Sequence, residues 1–268
     1  MSEQQLRVDI VEIGRRLYAR GYTASNDGNI SARLDDKRLI MTPEMMCITD
    51  LDGLKLAGEG DPSSEMQMHL EVYRQRPDVK AVVHAHPPIA TGFAVAGIPL
   101  DRAVLAEVVT TLGSVPIAEY ATPSTKELPE AVRKYVKAHD GMLLANHGAL
   151  TLGADLFAAY YKMETIEHFA NISLVARMLG GERLLSRDEV FRLQGLRGSY
   201  GIASPAPICP DPADPAQADC QVVQAPVSSG GQRLVPGERL RTIGPDDEIR
   251  LTYRELTALI EDAVRNLK

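Results

Sequence analysis

The chain has 268 residues, of which 44% are hydrophobic and 24% are charged, a composition typical of globular proteins. Its formal net charge of −7 argues against nucleic acid or an anionic membrane as the main partner, because both bind basic surfaces. Three widely spaced cysteines match neither a disulfide framework nor a Cys-x-x-Cys site. The N-terminus lacks the apolar segment of a signal peptide, and no run approaches the roughly 18 apolar residues of a membrane span. These features predict a cytoplasmic protein with reduced thiols.

Hydrophobic periodicity predicts helices and short strands in irregular alternation. The first predicted element is a helix containing Leu6 to Leu17, which is followed by strands at 30–34, 38–42 and 47–51 and by a helix that ends before Pro77. Next come a strand at 79–86, a helix at 89–96, a short element at 105–112 and a strand at 115–118. There follow a helix to about residue 138 that begins with a capping box of Ser124 and Glu127, two strands within 141–153, and helices at 155–178 and 186–196. Since hairpin-length turns join several strands, we expect an α/β fold with a mixed, mainly antiparallel central sheet flanked by helices.

A change of composition near residue 195 divides the chain. Residues 198–246 are rich in Pro, Gly, Ser, Ala and Asp, as linkers and irregular arms are. Beyond them, Thr252 and Glu255 have the spacing of a capping box, and an amphipathic helix follows. The sequence therefore predicts a catalytic domain at 1–196 and an arm at 197–268 that ends in this helix.

The strand at 79–86 carries two histidines, His84 and His86. Side chains alternate along a strand, so both imidazoles lie on one face, and Pro87 ends the strand beside them. Two neutral imidazoles at positions i and i+2 can chelate zinc, although such a pair alone is more often structural, because a metal site needs three or four ligands. His147, at a predicted strand end beside Gly148, is the third candidate ligand.

The remaining histidines fit a metal site less well. His69 and His168 lie in predicted helices, and His139 precedes a turn. Each is interpreted as an ordinary core or surface residue.

Six motifs together resemble the class II aldolase family, which includes fuculose-phosphate and ribulose-phosphate aldolases and the adducin head domain. They occur in the family's order over about residues 5–195: GNIS (28–31), MTP (41–43), PSSE (62–65), RPDVKAVVHAHP (76–87), VPIAEYAT (115–122) and NHG (146–148). The resemblance implies a three-layer class II aldolase-like fold, a homotetramer, and a Zn²⁺ ion bound by His84, His86 and His147. Three imidazoles also accept Mn²⁺, Fe²⁺, Co²⁺ or Ni²⁺.

The resemblance also implies a reaction. Retro-aldol cleavage of a ketose leaves negative charge on an enediolate, and a zinc ion can stabilise that charge as a Lewis acid. Glu65, expected in the first turn of its helix, matches the family's acid/base residue, and Asn29, Ser63 and Ser64 match its phosphate-binding positions. The sequence therefore predicts a metal-dependent aldehyde-lyase that cleaves a small hydroxy-ketone, either a sugar phosphate or a sugar-like acid.

Three departures from the family pattern keep other readings open. Glu44-Met45 replaces a Thr-Gly pair of the phosphate site, and a carboxylate there would repel phosphate. Leu105 replaces the catalytic tyrosine of the family aldolases. Glu107 lies near the position of an acid/base glutamate in the related methylthioribulose-phosphate dehydratases, although it can equally be a surface residue. The alternatives are therefore a dehydratase, epimerase or decarboxylase with the same enediolate chemistry, and an adducin-like interaction module, which the intact histidine set argues against.

Overall fold

The fold is described by a computed structural model that covers residues 2–42, 45–202, 204 and 208. Within these residues the strands are β1 (Asn29–Arg33), β2 (Arg38–Met41), β3 (Cys47–Asp50), β4 (Lys55–Ala57), β5 (Ala81–Ala85), β6 (Ile117–Ala118), β7 (Gly141–Leu144) and β8 (Gly148–Gly153). They form one sheet in the order β4-β3-β2-β1-β5-β8-β7-β6. Each neighbouring pair is antiparallel except β6 and β7, which are parallel. The predicted mixed, mainly antiparallel sheet is confirmed.

Helices cover both faces of this sheet. They are α1 (Glu3–Ala19), α2 (Met66–Gln75), α3 (Pro88–Ala96), α4 (Ala106–Thr111), α5 (Glu127–Val136), α6 (Leu156–Met178) and α7 (Arg187–Leu196), with a short 3₁₀ helix at Arg197–Tyr200. Helices α1, α3 and α6 pack in one core with Val83 of β5, whereas α2 and α5 pack in a second core with Val82. Because successive side chains of β5 enter opposite cores, the architecture is the predicted three-layer arrangement. None of the described helices is both long and apolar enough to cross a bilayer.

Most predicted elements are found within one or two residues of their expected ends, but two differ. Helix α5 begins at Glu127 without the predicted Ser124 capping box: Ser124 has φ 66°, and Thr125 Oγ1 accepts the Glu127 N–H instead. Apolar periodicity does not predict strand β4, because its residues are exposed or half-buried and carry no alternating apolar pattern.

The centre of the sheet brings three distant segments together. Asn29 at the start of β1 pairs with His84 near the end of β5, and His84 pairs with Leu150 of β8 on its other side. The turn that joins β7 to β8 therefore lies beside the end of β5.

The arm helix predicted after Thr252 and the Glu44 position lie outside the described residues, and the domain boundary at 196/197 stays a prediction.

Candidate active site

Three histidines meet where β5 ends. His84 is fully buried in β5, His86 follows the strand, and His147 lies in the β7–β8 turn. One ligand nitrogen of each lies within 4.8 Å of the other two. The Nε2 atoms of His84 and His86 are 3.2 Å apart. The three residues that the sequence predicts as metal ligands are therefore brought together.

The surrounding backbone orients these rings. His84 Nδ1 donates to the carbonyl of Ala149 at 2.9 Å, so its Nε2 carries no proton and can act as a ligand. The backbone N–H of His86 donates to the carbonyl of Tyr22 at 2.8 Å. Burial lowers the pKa of both His84 and His86, which keeps the imidazoles neutral, as metal binding requires.

Glycine is needed at two positions of this site. A Cβ on Gly148 would lie 2.5 Å from His86 Cδ2 and 2.6 Å from the carbonyl oxygen of Ala85. A Cβ on Gly28 would lie 2.9 Å from the carbonyl oxygen of His84, and Gly28 also has φ +79°. The glycines of the GNIS and NHG motifs thus allow the backbone to approach the histidines closely.

Glu65 lies against two of the histidines. Its Oε2 is 3.2 Å from His84 Nε2, and its Oε1 is 3.1 Å from His147 Nε2. It is the N-cap residue of α2, not a residue of the first helical turn as predicted. Burial alone would raise the pKa of Glu65, but the neighbouring His147 and His84 and the amide of Asn29 hold that pKa well below its usual value. Glu65 is therefore a carboxylate at neutral pH.

These donors fit a divalent transition metal. Two nitrogens bound to one tetrahedral zinc at about 2.05 Å are about 3.3 Å apart, close to the 3.2 Å separation between His84 and His86. Two buried atoms, Glu65 Oε1 and His147 Nδ1, have no hydrogen bond of good geometry among the described residues. Three neutral imidazoles with a carboxylate beside them form the donor set of an open, catalytic type of site.

Of the three predicted anion-binding residues, Asn29 and Ser63 contact Glu65, whereas Ser64 is exposed. Asn29 Nδ2 donates to Glu65 Oε2 at 2.8 Å and to Ser63 Oγ at 3.2 Å. Ser63 Oγ also accepts the backbone N–H of Glu65 at 3.2 Å. Ser64 is exposed and, with Glu65, lines a groove of about 530 Å³ between α2 and α5. Asn29 and Ser63 thus support Glu65, whereas Ser64 faces open space beside it.

The structure does not bring Glu107 to the histidines. Glu107 is exposed on α4, and within the described residues its carboxylate forms neither a hydrogen bond nor an ion pair. Leu105 is the N-cap residue of α4 and packs partly buried against the core of α1, α3 and α6. A catalytic role for Glu107 stays a prediction from resemblance.

Sequence reasoning missed a buried extension of the site. His69, interpreted as an ordinary residue, lies fully buried on α2, with Nε2 2.5 Å from Asn29 Oδ1 and Nδ1 2.7 Å from Ser31 Oγ. Ser31 Oγ is in turn 2.8 Å from the hydroxyl of Tyr73. The available signal was the spacing of four residues between Glu65 and His69, which places both on one side of α2.

Comparison with known proteins agrees with this geometry. Residues 8–174 match the family model described as Class II Aldolase and Adducin N-terminal domain. The chain is 34% identical over 207 residues to the 3-oxo-tetronate 4-phosphate decarboxylase of Pectobacterium atrosepticum, covering 72% of this chain and 94% of that protein. It is also 34% identical over 212 residues to the 5-deoxy-D-ribulose 1-phosphate aldolase of Bacillus thuringiensis, covering 75% and 99%.

A solved structure gives the same result in three dimensions. YgbL from Klebsiella pneumoniae, described as a putative aldolase/epimerase/decarboxylase, matches with a TM-score of 0.66 at 32% identity, over 72% of this chain and 99% of that one. The family model alone spans more than half of the sequence. The chain belongs to the class II aldolase and adducin family.

Proposed function

We propose that the chain is a metal-dependent lyase that breaks a carbon–carbon bond next to a carbonyl group and leaves an enediolate. The position of Glu65 carries this proposal, since its two oxygens lie 3.2 and 3.1 Å from Nε2 atoms of two histidines of the triad. His84, His86 and His147 would hold the cation, with zinc the first choice. When bound, such a cation supplies Lewis acidity that stabilises negative charge on substrate oxygens.

Glu65 is the proposed acid/base. Its Oε2 accepts the Asn29 N–H, whereas its Oε1 lies 3.1 Å from His147 Nε2 and, among the described residues, forms no hydrogen bond of good geometry. Oε1 is therefore the oxygen available for proton transfer. In the cleavage direction it delivers a proton to the enediolate carbon, and in the reverse direction it removes that proton.

Decarboxylation of a 3-oxo sugar acid is the reaction we place first. The bond between C1 and C2 breaks, CO₂ leaves and the bonding electron pair enters the enediolate. Glu65, a carboxylate at rest, takes up one proton from solvent water and delivers it to C2. Departure of CO₂ needs no base, whereas a retro-aldol step must remove the hydroxyl proton of the leaving aldehyde. Leu105 has no group that accepts this proton at the position of the family's tyrosine. The name of the Pectobacterium relative supports a phosphorylated 3-oxo-tetronate as the first substrate to test.

Retro-aldol cleavage, the reaction predicted from the sequence, is the second candidate. The identity to the Bacillus aldolase equals that to the decarboxylase, and both reactions pass through an enediolate. In either case Ser64, at the groove, is the first proposed contact for the anionic end of the substrate. The contacts predicted for Asn29 and Ser63 would require their present hydrogen bonds around Glu65 to be exchanged for bonds to the anion. The exposed position of Glu107 gives no support to the dehydratase reading.

The test combines metal content with product analysis. Wild-type protein is expected to hold about one divalent ion per chain, and His84→Ala and His147→Ala proteins are expected to lose it. The substrates are 3-oxo-tetronate and a panel of ketoses, each with and without the phosphate group. CO₂ release identifies the decarboxylase, two carbon fragments identify the aldolase, and the preferred form shows whether Glu44 disfavours phosphate.

Glu65→Gln is the matched variant for the acid/base role. We expect it to keep the metal and lose about 10²–10⁴-fold in turnover, the usual contribution of a positioned acid/base group. His168→Ala, which removes an exposed histidine of α6, is the control and should change neither property. Full metal content and full activity in the His84→Ala protein would exclude the proposal.

A further inference from the structure

A row of buried side chains continues from Glu65 into the interior, away from the histidine triad. Asn29, His69, Ser31 and Tyr73 follow one another, and each is at most 6% exposed. The joining distances are 2.8 Å from Glu65 to Asn29, 2.5 Å from Asn29 to His69, 2.7 Å from His69 to Ser31 and 2.8 Å from Ser31 to Tyr73. Every neighbouring pair in the row is thus within hydrogen-bond distance.

Chemistry fixes the direction of each bond in this row. The Glu65 carboxylate only accepts, so the nitrogen of the Asn29 amide faces it and the oxygen of that amide faces His69. Since an amide oxygen also only accepts, His69 Nε2 must carry the proton. The other nitrogen of a neutral imidazole is an acceptor, so Ser31 donates to Nδ1 and in turn accepts from the Tyr73 hydroxyl.

His69 is suited to hold a single tautomer. The ring is completely buried, and burial lowers the pKa of His69 to about 4, so that it is neutral at physiological pH. Each ring nitrogen already has its partner, and exchanging their roles would place two acceptors opposite each other at Asn29. The imidazole therefore presents its N–H to Asn29 permanently.

We propose that His69 is a positioning residue that acts on Glu65 through Asn29. Its Nε2–H holds the oxygen of the Asn29 amide, which directs the amide N–H₂ toward Glu65 Oε2 and Ser63 Oγ. Without that donor the amide can turn over and place its oxygen against the carboxylate. This inference rests on the acid/base role proposed for Glu65.

Two amide substitutions separate positioning from packing. The His69→Gln side chain places an N–H₂ group near the position of Nε2, whereas the shorter His69→Asn side chain reaches only the position of Nδ1. We expect His69→Gln to keep most of the wild-type turnover. We expect His69→Asn to lower kcat about 10–100-fold, the usual effect of losing an outer-sphere partner, with little change in KM or metal content.

The same pair of substitutions at His139 is the control. His139 is also buried, and its Nδ1 lies 3.2 Å from the carbonyl oxygen of Ser114, outside the site. His139→Gln and His139→Asn are expected to lower Tm and leave kcat unchanged. If the two His69 variants lose equal activity, or if activity follows Tm in both pairs, positioning by His69 is excluded.

NMR spectroscopy tests the hydrogen bond from His69 Nε2 to Asn29 without an activity assay. In the full-length protein labelled with ¹⁵N-histidine, the signal that disappears in His69→Gln should be a neutral ring protonated at Nε2, with and without added Zn²⁺. A ring protonated at Nδ1, or a charged ring at neutral pH, would overturn the inference. A wild-type protein that turns over no substrate of the panel but shows the Nε2–H tautomer would instead count against the proposed function and leave the His69 hydrogen bond established.

Discussion

Asn29 has two different neighbours at the two ends of its amide. It donates to Glu65 Oε2 and accepts from His69 Nε2, so the two ends cannot be exchanged without placing like groups together. Asn29→Asp puts a second carboxylate oxygen about where the nitrogen now lies, 2.8 Å from Glu65. Two carboxylates at this distance do not both stay ionised, and one of them takes up a proton.

We therefore expect Asn29→Asp to lower kcat about 10–100-fold at neutral pH, as losses of outer-sphere partners do, and to shift the pH profile of turnover. Asn29→Ser removes the donor without adding charge and should leave the profile's shape closer to that of wild type. The measurement is turnover against pH for the three proteins. An unchanged rate in Asn29→Asp would show that the amide does not act on Glu65.

The sequence predicts only part of this residue-level picture. His84 and His86 share a strand and His147 borders a glycine turn, so their chemistry can be recognised from local pattern and resemblance. His69 carries only a weak signal, its spacing of four residues from Glu65. Its partner Asn29 is 40 positions away, and helical periodicity says that His69 faces the interior without saying which polar group it meets there.

The connection from β7 to β8 requires glycine at position 148, the first residue of β8. A Cβ on Gly148 would overlap His86 and the carbonyl oxygen of Ala85, the last residue of β5. Gly148→Ala is therefore expected to displace His86 and to weaken binding of Zn²⁺ by at least about tenfold, the lower range for disturbed metal surroundings. Isothermal titration with Zn²⁺ measures this change.

Gly92 provides the matched control for this substitution. It lies in α3, and a Cβ there would meet no atom within 4 Å. Gly92→Ala should leave Zn²⁺ binding unchanged and raise the free energy of unfolding by about 0.5–1 kcal/mol, since alanine favours helix. Equal Zn²⁺ affinities in the two variants would contradict the role assigned to Gly148.

The elements themselves follow from the sequence where apolar spacing is strong. Helix α1 buries Leu6, Ile10, Ile13 and Leu17 as the periodicity predicts, and α6 begins after the Asp155 cap. The predicted capping box at the start of α5 was wrong, because two neighbouring hydroxyl side chains can each accept the first free N–H groups of the helix. Thr125, not Ser124, accepts the Glu127 N–H. Such choices depend on backbone angles that local sequence does not specify.

For the whole molecule, buried histidines link stability to pH. Burial lowers the pKa of His139 to about 4, whereas the unfolded chain has a value near 6.5. Below pH 6.5 the unfolded chain therefore binds a proton that the native protein does not, and the free energy of unfolding falls as pH falls toward 4. This single histidine contributes roughly 3 kcal/mol to that loss.

Urea denaturation at about pH 7 and about pH 4.5 tests this linkage. His139→Gln should be less stable than wild type at the higher pH and lose less stability on acidification. His168→Gln, at an exposed site, should lose as much as wild type does. Parallel losses in wild type and His139→Gln would contradict the assignment.

The homotetramer and the cytoplasmic location predicted from the sequence stay predictions.

The pairing of β1, β5 and β8 has a consequence for folding kinetics. Asn29 pairs with His84, and His84 with Leu150, so the site exists only after segments more than fifty positions apart have joined. Closing loops of this length costs entropy before the contacts stabilise the chain, so we expect the triad to be completed after the rate-limiting step of folding. A cation that binds the finished triad would therefore slow unfolding and leave the folding rate unchanged, and stopped-flow refolding and unfolding with and without Zn²⁺ would show this. In this protein a bound metal would then stabilise the native sheet once it has formed, without accelerating its formation.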